Sequence, residues 1–182
     1  MKHQPFISVV LGNIVRQPDC DAVVNAANKN LRAGSGVCGA IYYAAGPLLE
    51  PCSVKLAPLA VGEAVATPAF DLGCRFIIHT LGPKYLFDED PPGNLARAVK
   101  SAILLADENG VKKLAMPAIS TGVYGYPPDE AVPVIVDATL SCLERLESLE
   151  EIRFVVTDVG MQNLFESRLS RYSERHGKAE IS

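Results

Sequence analysis

Short apolar runs alternate with stretches of helical spacing along most of this chain. Residues 6–11 form a β-branched run stopped by Gly12, and residues 21–25 a second run that is apolar throughout its middle, as a strand covered on both faces would be. Helical character follows over residues 40–55, interrupted by Gly46 and Pro47. Residues 64–70 and 75–81 are strand-like, and Pro91, Pro92 and Gly93 mark a surface turn. From Asn94 the apolar residues Leu95, Ala98, Val99, Ala102, Ile103 and Ala106 keep helical spacing up to Asn109 and Gly110, a C-terminal stop. Residues 111–116 predict a strand and residues 133–149 a helix, with Val136, Leu140, Leu143 and Leu146 inward and Pro133 in its first turn, where a missing N–H costs little. A last strand covers 152–157 and a last helix 162–172.

Strands alternating with helices predict an α/β fold: a three-layer α/β/α domain around a mixed, mostly parallel sheet of about six strands. The expected domain spans residues 1–172, with a polar, fraying tail over 173–182. Its 182 residues, 48% hydrophobic and 21% charged, suffice for a core without disulfides or metal. The five cysteines contain no C-x-x-C pair, and with three dispersed histidines they outline neither a zinc site nor a disulfide framework. They are expected to be reduced thiols in the cytoplasm. A net charge of −4 without a basic block argues against duplex nucleic acid as a partner. No apolar stretch is long enough to span a membrane, and the first residues lack a signal-peptide core.

Two glycine-rich segments, residues 25–39 and 117–127, each lie where an apolar run gives way to a helical pattern. Backbone N–H groups there stay unpaired and can hold an anion. The run Gly34-Ser35-Gly36-Val37-Cys38-Gly39 formally fits a dinucleotide fingerprint, but nine residues separate it from Val24, and no acidic second strand follows. A nicotinamide-dependent oxidoreductase is therefore disfavoured, and the absence of Gly-Lys-Ser/Thr excludes a P-loop. Asn25 and Asn28 flank two alanines, combining close backbone approach with donors and acceptors. Either asparagine could equally be an Asx-turn or a cap. Ser120, Thr121 and Gly122 can turn successive N–H groups inward as a nest, and Tyr124 and Tyr126 offer flat faces to a sugar or base.

These motifs resemble those of the macrodomain family of ADP-ribose-binding modules. The resemblance runs from Gly12-Asn13-Ile14 through Val23-Val24-Asn25-Ala26-Ala27-Asn28, residues 36–41, 44–46 and 77–83, to residues 117–127. It is greatest to the MacroD type, which includes O-acetyl-ADP-ribose deacetylases and mono-ADP-ribosyl hydrolases. It implies adenine near Asn13 and Ile14, with the distal ribose against Asn28 and beside Tyr124. It implies that the backbone N–H groups of Gly36, Val37, Ser120, Thr121, Gly122, Val123 and Tyr124 hold the diphosphate. Asn25 joins the ligand-binding set, no metal or other cofactor is expected, and His79 is expected to be a packed core residue.

Two departures bear on function. The family's aspartate next to adenine is Asn13 here, whose carbonyl oxygen can still accept from the adenine amino group. A neutral acceptor is weaker by about 1 kcal/mol. The family's catalytic aspartate, ten residues after Asn28, is Cys38, and the family histidine beyond it is Tyr42. Cys38 can be a small packing residue, a change tolerated in an active hydrolase, or a nucleophile. The expected function is accordingly ADP-ribose binding, with hydrolysis of ADP-ribosyl esters and non-catalytic reading both open.

Overall fold

The computed structural model describes residues 4–176. Six strands form one sheet in the order β1-β6-β5-β2-β4-β3: β1 (Phe6–Leu11), β2 (Ala22–Ala26), β3 (Ala64–Pro68), β4 (Phe76–Thr80), β5 (Lys113–Met116) and β6 (Glu151–Val156). All neighbours are parallel except β3, which runs antiparallel to β4 at the edge. The helices are α1 (Gly36–Ala45), α2 (Leu49–Ser53), α3 (Pro91–Glu108), α4 (Pro128–Cys142) and α5 (Val159–His176). None of the described helices is long and apolar enough to cross a membrane.

The strand β2 shows how the pattern sets the layers. Ala22 and Val24 join the core beneath α3, α4 and α5, whereas Val23 joins the opposite core beneath α1 and α2. Each face of the strand is dry, hence its continuous apolar run. The fold therefore has the expected three layers and mixed, mostly parallel six-stranded sheet.

Several helix boundaries differ from the expectation. The helix α1 begins at Gly36 rather than residue 40, so the glycine run supplies its first turn. Residues 91–93 are not a separate turn but the start of α3: Asp90 accepts from the Gly93 N–H at 3.2 Å, and prolines occupy the first positions. Pro133 lies inside α4, because Pro127 and Pro128 already start that helix, with Ala131 N–H donating to Pro127 O at 2.8 Å. The same helix stops before residue 149 because Asp107 takes the N–H groups of Glu147, Ser148 and Leu149 at 2.8–3.0 Å. The final helix continues through residues 173–176, which were expected to belong to the tail; residues 177–182 lie outside the described residues.

Candidate functional site

Because β1, β2, β5 and β6 are parallel, the segments after them emerge at one sheet edge, where ligands of such folds bind. The segment after β2 leads into α1, and the one after β5 leads into α4. The two glycine-rich loops thus sit on adjacent strands.

The first loop opens an uncapped helix. Ser35 makes no side-chain cap, and no acidic residue lies in the first turn of α1. The first-turn N–H groups of Gly36 and Val37 therefore have neither an intrahelical acceptor nor a competing carboxylate. The helix start is pressed against the preceding loop, since a Cβ on Gly39 would collide with the Gly34 carbonyl oxygen. Tyr42 Oη and Ser53 Oγ both donate to Leu31 O, at 2.8 and 2.7 Å. Arg32 O accepts from Asn28 Nδ2 at 2.8 Å and from the Cys38 thiol at 3.5 Å. Glu50 accepts from Ala33 N–H at 2.9 Å and pairs with the Arg32 guanidinium at 3.2 Å. Three consecutive loop residues are thereby tied to side chains of α1 and α2.

Beneath this loop runs a buried polar chain. Asn25 Nδ2 lies 3.8 Å from Cys38 Sγ and donates to His79 Nδ1 at 3.1 Å. His79 Nε2 then carries the proton and meets Thr67 Oγ1 at 2.9 Å. Burial pushes the His79 pKa down to about 4, so the ring is neutral at pH 7. Burial likewise raises the Cys38 pKa, against the lowering pull of the Asn25 amide and the Gly34 backbone. Cys38 is thus a protonated, buried thiol that donates to a carbonyl. Asn25, expected in the ligand-binding set, is fully buried in this chain, and its Oδ1 has no partner among the described residues.

The second loop is shaped by its own backbone. Thr121 N–H and Oγ1 both donate to Ala118 O, at 3.3 and 2.7 Å, while Gly125 N–H donates to Gly122 O and Tyr126 N–H to Ser120 O, each at 3.0 Å. The Thr121 N–H, expected in the cradle, is thus engaged within the turn. The N–H groups of Ser120, Gly122, Val123 and Tyr124 have no partner among the described residues. Ser120 adopts φ +69°, and its buried Oγ is likewise unpartnered. It faces Gly82, where any Cβ would collide with it. Tyr124 links the loops: its hydroxyl donates to Ala27 O at 3.3 Å, and its ring packs beside Leu31, Leu59 and Leu81. Lys84 Nζ stands 5.6 Å from the centre of that ring.

At the β1 end, Gly12 N–H donates to Val156 O at 2.8 Å, and Asn13 follows, exposed. Asn13 Oδ1 accepts from Val15 N–H at 3.1 Å. The carbonyl expected to meet an adenine amino group is thus already engaged in an Asx-turn. Ile14 is buried, and its side chain belongs to the core under α1. Among the described residues no group of three or more His, Cys, Asp or Glu is placed to hold a metal.

Glu50, Ser53 and Lys84 carried no signal in the sequence reading, and Tyr42 figured only as a replaced histidine. All four act across distances in the chain at which a local motif is blind.

Comparison with known proteins places this edge in a family. The Macro domain family matches residues 24–135. The chain is 43% identical over 169 residues to a macro domain-containing protein of Streptomyces coelicolor, spanning 90% of this chain and 98% of that protein. It is 40% identical over 173 residues to an O-acetyl-ADP-ribose deacetylase of Cronobacter turicensis, spanning 92% and 98%. Its fold superposes on a mutant Oceanobacillus iheyensis macrodomain with ADPR at a TM-score of 0.88 and 30% identity, covering 96% and 97% of the two chains. With sheet, loops and sequence in agreement, the chain belongs to the macro domain family.

Proposed function

We propose that this chain binds ADP-ribose, free or attached to another molecule, across the carboxyl edge of the sheet. The observation that carries this reading is the pair of unspent N–H sets on adjacent strands: Gly36 and Val37 after β2, and Ser120, Gly122, Val123 and Tyr124 after β5. Oriented backbone dipoles of this kind hold a diphosphate without lysines, which suits a chain of net charge −4. The distal ribose lies against Asn28 and the Tyr124 ring, and the base extends toward Asn13 and Ile14. Melting with ADP-ribose tests this: at a hundred times its dissociation constant the ligand adds about 2.7 kcal/mol. An unchanged Tm at millimolar ADP-ribose overturns the reading.

A second reading, hydrolysis of ADP-ribosyl esters, is favoured by the 40% identity to an O-acetyl-ADP-ribose deacetylase. Water would add to the ester carbonyl, releasing a carboxylic acid and the ribose hydroxyl. Asn28 would orient the ribose. Cys38 takes no part as a base, because a thiol whose pKa is raised by burial holds its proton at neutral pH. The reader function is thus the better-supported reading, and turnover of O-acetyl-ADP-ribose by the wild type decides between the two.

A further inference from the structure

The base end of the cleft follows from the strand order. The two N–H sets stand on β2 and β5, so a ligand held between them with its ribose toward Asn28 on the β2 side must carry its base over β6 and β1. At the usual strand spacing, β1 lies about 10 Å beyond β5, within reach of a nucleoside attached to the diphosphate. Asn13 is an exposed polar side chain at this end, directly after the Gly12–Val156 closure of β1 onto β6, and the exposed Thr157 and Asp158 follow β6 beside it.

The orientation of its amide is determined by its partners. Val15 N–H can donate only to an oxygen, so the side-chain atom 3.1 Å away is Oδ1, and Nδ2 takes the other position. The backbone carbonyl of Asn13 is also engaged, accepting from Arg16 N–H at 3.0 Å and from Gln17 Nε2 at 3.1 Å. With one lone pair of Oδ1 taken by Val15 N–H, what Asn13 offers most freely is a pair of N–H donors with no partner among the described residues. A carboxylate in the same turn would instead have offered a second, free acceptor oxygen.

This difference bears on the exocyclic group at C6 of a purine. The 6-amino group of adenine donates, and so meets a free carboxylate oxygen well and an amide NH2 poorly. The O6 of hypoxanthine or guanine accepts, and so meets the amide NH2 well and a carboxylate poorly. We propose that Asn13 makes the base end a donor site, which takes a 6-oxopurine nucleoside diphosphate at least as tightly as the adenine one. The proposal rests on the ADP-ribose reading of the cleft and narrows its ligand class.

Calorimetric titration of ADP and IDP into the wild type and Asn13→Asp tests it, with ADP-ribose titrated alongside. The expected result is that the wild type binds IDP at least as tightly as ADP. Asn13→Asp should move the ratio of the two dissociation constants at least tenfold toward ADP. If ADP-ribose binds but the wild type prefers ADP, or Asn13→Asp leaves the ratio unmoved, this proposal fails and the proposed function stands. If ADP-ribose does not bind, both fail together. The substitution is isosteric and exposed, and Asp retains an acceptor for Val15 N–H, so folding does not confound the comparison.

Discussion

In the first glycine loop the backbone is held by side chains, three of them from α1 and α2 beyond it. Tyr42 and Ser53 grip Leu31 O, Cys38 and Asn28 grip Arg32 O, and Glu50 grips Ala33 N–H. In the second loop the bonds run between neighbours, from Thr121 to Ala118, Gly125 to Gly122 and Tyr126 to Ser120. Both present unspent N–H groups at the same carboxyl edge of the sheet. The first can therefore be altered by substitutions far along the chain, whereas the turns of the second are closed by its own residues, with Tyr85 N–H donating to Tyr124 O at 3.0 Å as a tie from outside.

The strongest way to break the contrast is steric. A methyl group at Gly39 meets the Gly34 carbonyl, which is backbone and cannot swing aside. A methyl at Gly122 meets nothing within 4 Å. Overpacking of the first kind costs about 3 kcal/mol. Gly39→Ala is therefore expected to lower stability by about that amount and to weaken ADP-ribose binding, while Gly122→Ala leaves the denaturation midpoint nearly unchanged. Equal losses in urea denaturation would show that the first loop is not fixed by close approach to α1.

The next effect depends on pH and concerns the floor under the first loop alone. His79 is neutral in the fold, with its pKa lowered from 6.5 to about 4 by burial. In the unfolded chain it protonates near 6.5, so its contribution is fully present above that pH and is lost as pH falls toward 4. At 1.36 kcal/mol per unit the loss across that window is about 3 kcal/mol at most. Denaturation midpoints measured from pH 7.5 to 4 should fall accordingly, and His79→Gln should flatten the slope. A flat wild-type profile would mean that the imidazole can charge in place.

The same contrast explains what the sequence revealed. Runs such as residues 22–26 and the spacing from Leu95 to Ala106 declare strand and helix locally, because burial on one or both faces repeats at a fixed period. The second loop was legible for a similar reason: the residues that close its turns lie within it. The first was legible as glycines and asparagines, but the clamp that shapes it was not. Glu50 and Ser53 lie 17 and 22 residues from their partners, on a short helix with no motif of its own. That Asn25 is fully buried was not legible, because composition does not tell which face of β2 its amide takes. The turn that engages the Asn13 carbonyl was not legible either, because it depends on the backbone path to Val15.

A smaller effect sharpens the role of the clamp. Tyr42→Phe removes one of the two donors on Leu31 O, while the Ser53 hydroxyl at 2.7 Å keeps that carbonyl satisfied. Losing one hydrogen bond without stranding its acceptor costs about 1 kcal/mol. Tyr42→Phe with Ser53→Ala would leave the buried carbonyl bare, and the pair should lose more than the sum of the single changes. Strict additivity in urea denaturation would mean that the two hydroxyls do not share Leu31 O as their common acceptor.

The smallest effect is electrostatic. Glu50 is partly exposed and holds both the Ala33 N–H and the Arg32 guanidinium. Glu50→Gln keeps an acceptor for the N–H but removes the ion pair, a loss of about 0.5 kcal/mol for an exposed pair. Salt screens such pairs, so the difference between wild type and variant should shrink toward zero in 1 M sodium chloride. The second loop contains no charged residue between Pro117 and Pro127, so nothing within it gives salt a comparable hold. A gap of the same size at low and high salt would assign the Glu50 effect to its hydrogen bond with Ala33. The clamp would then work through neutral hydrogen bonds alone, as the turns of the second loop do.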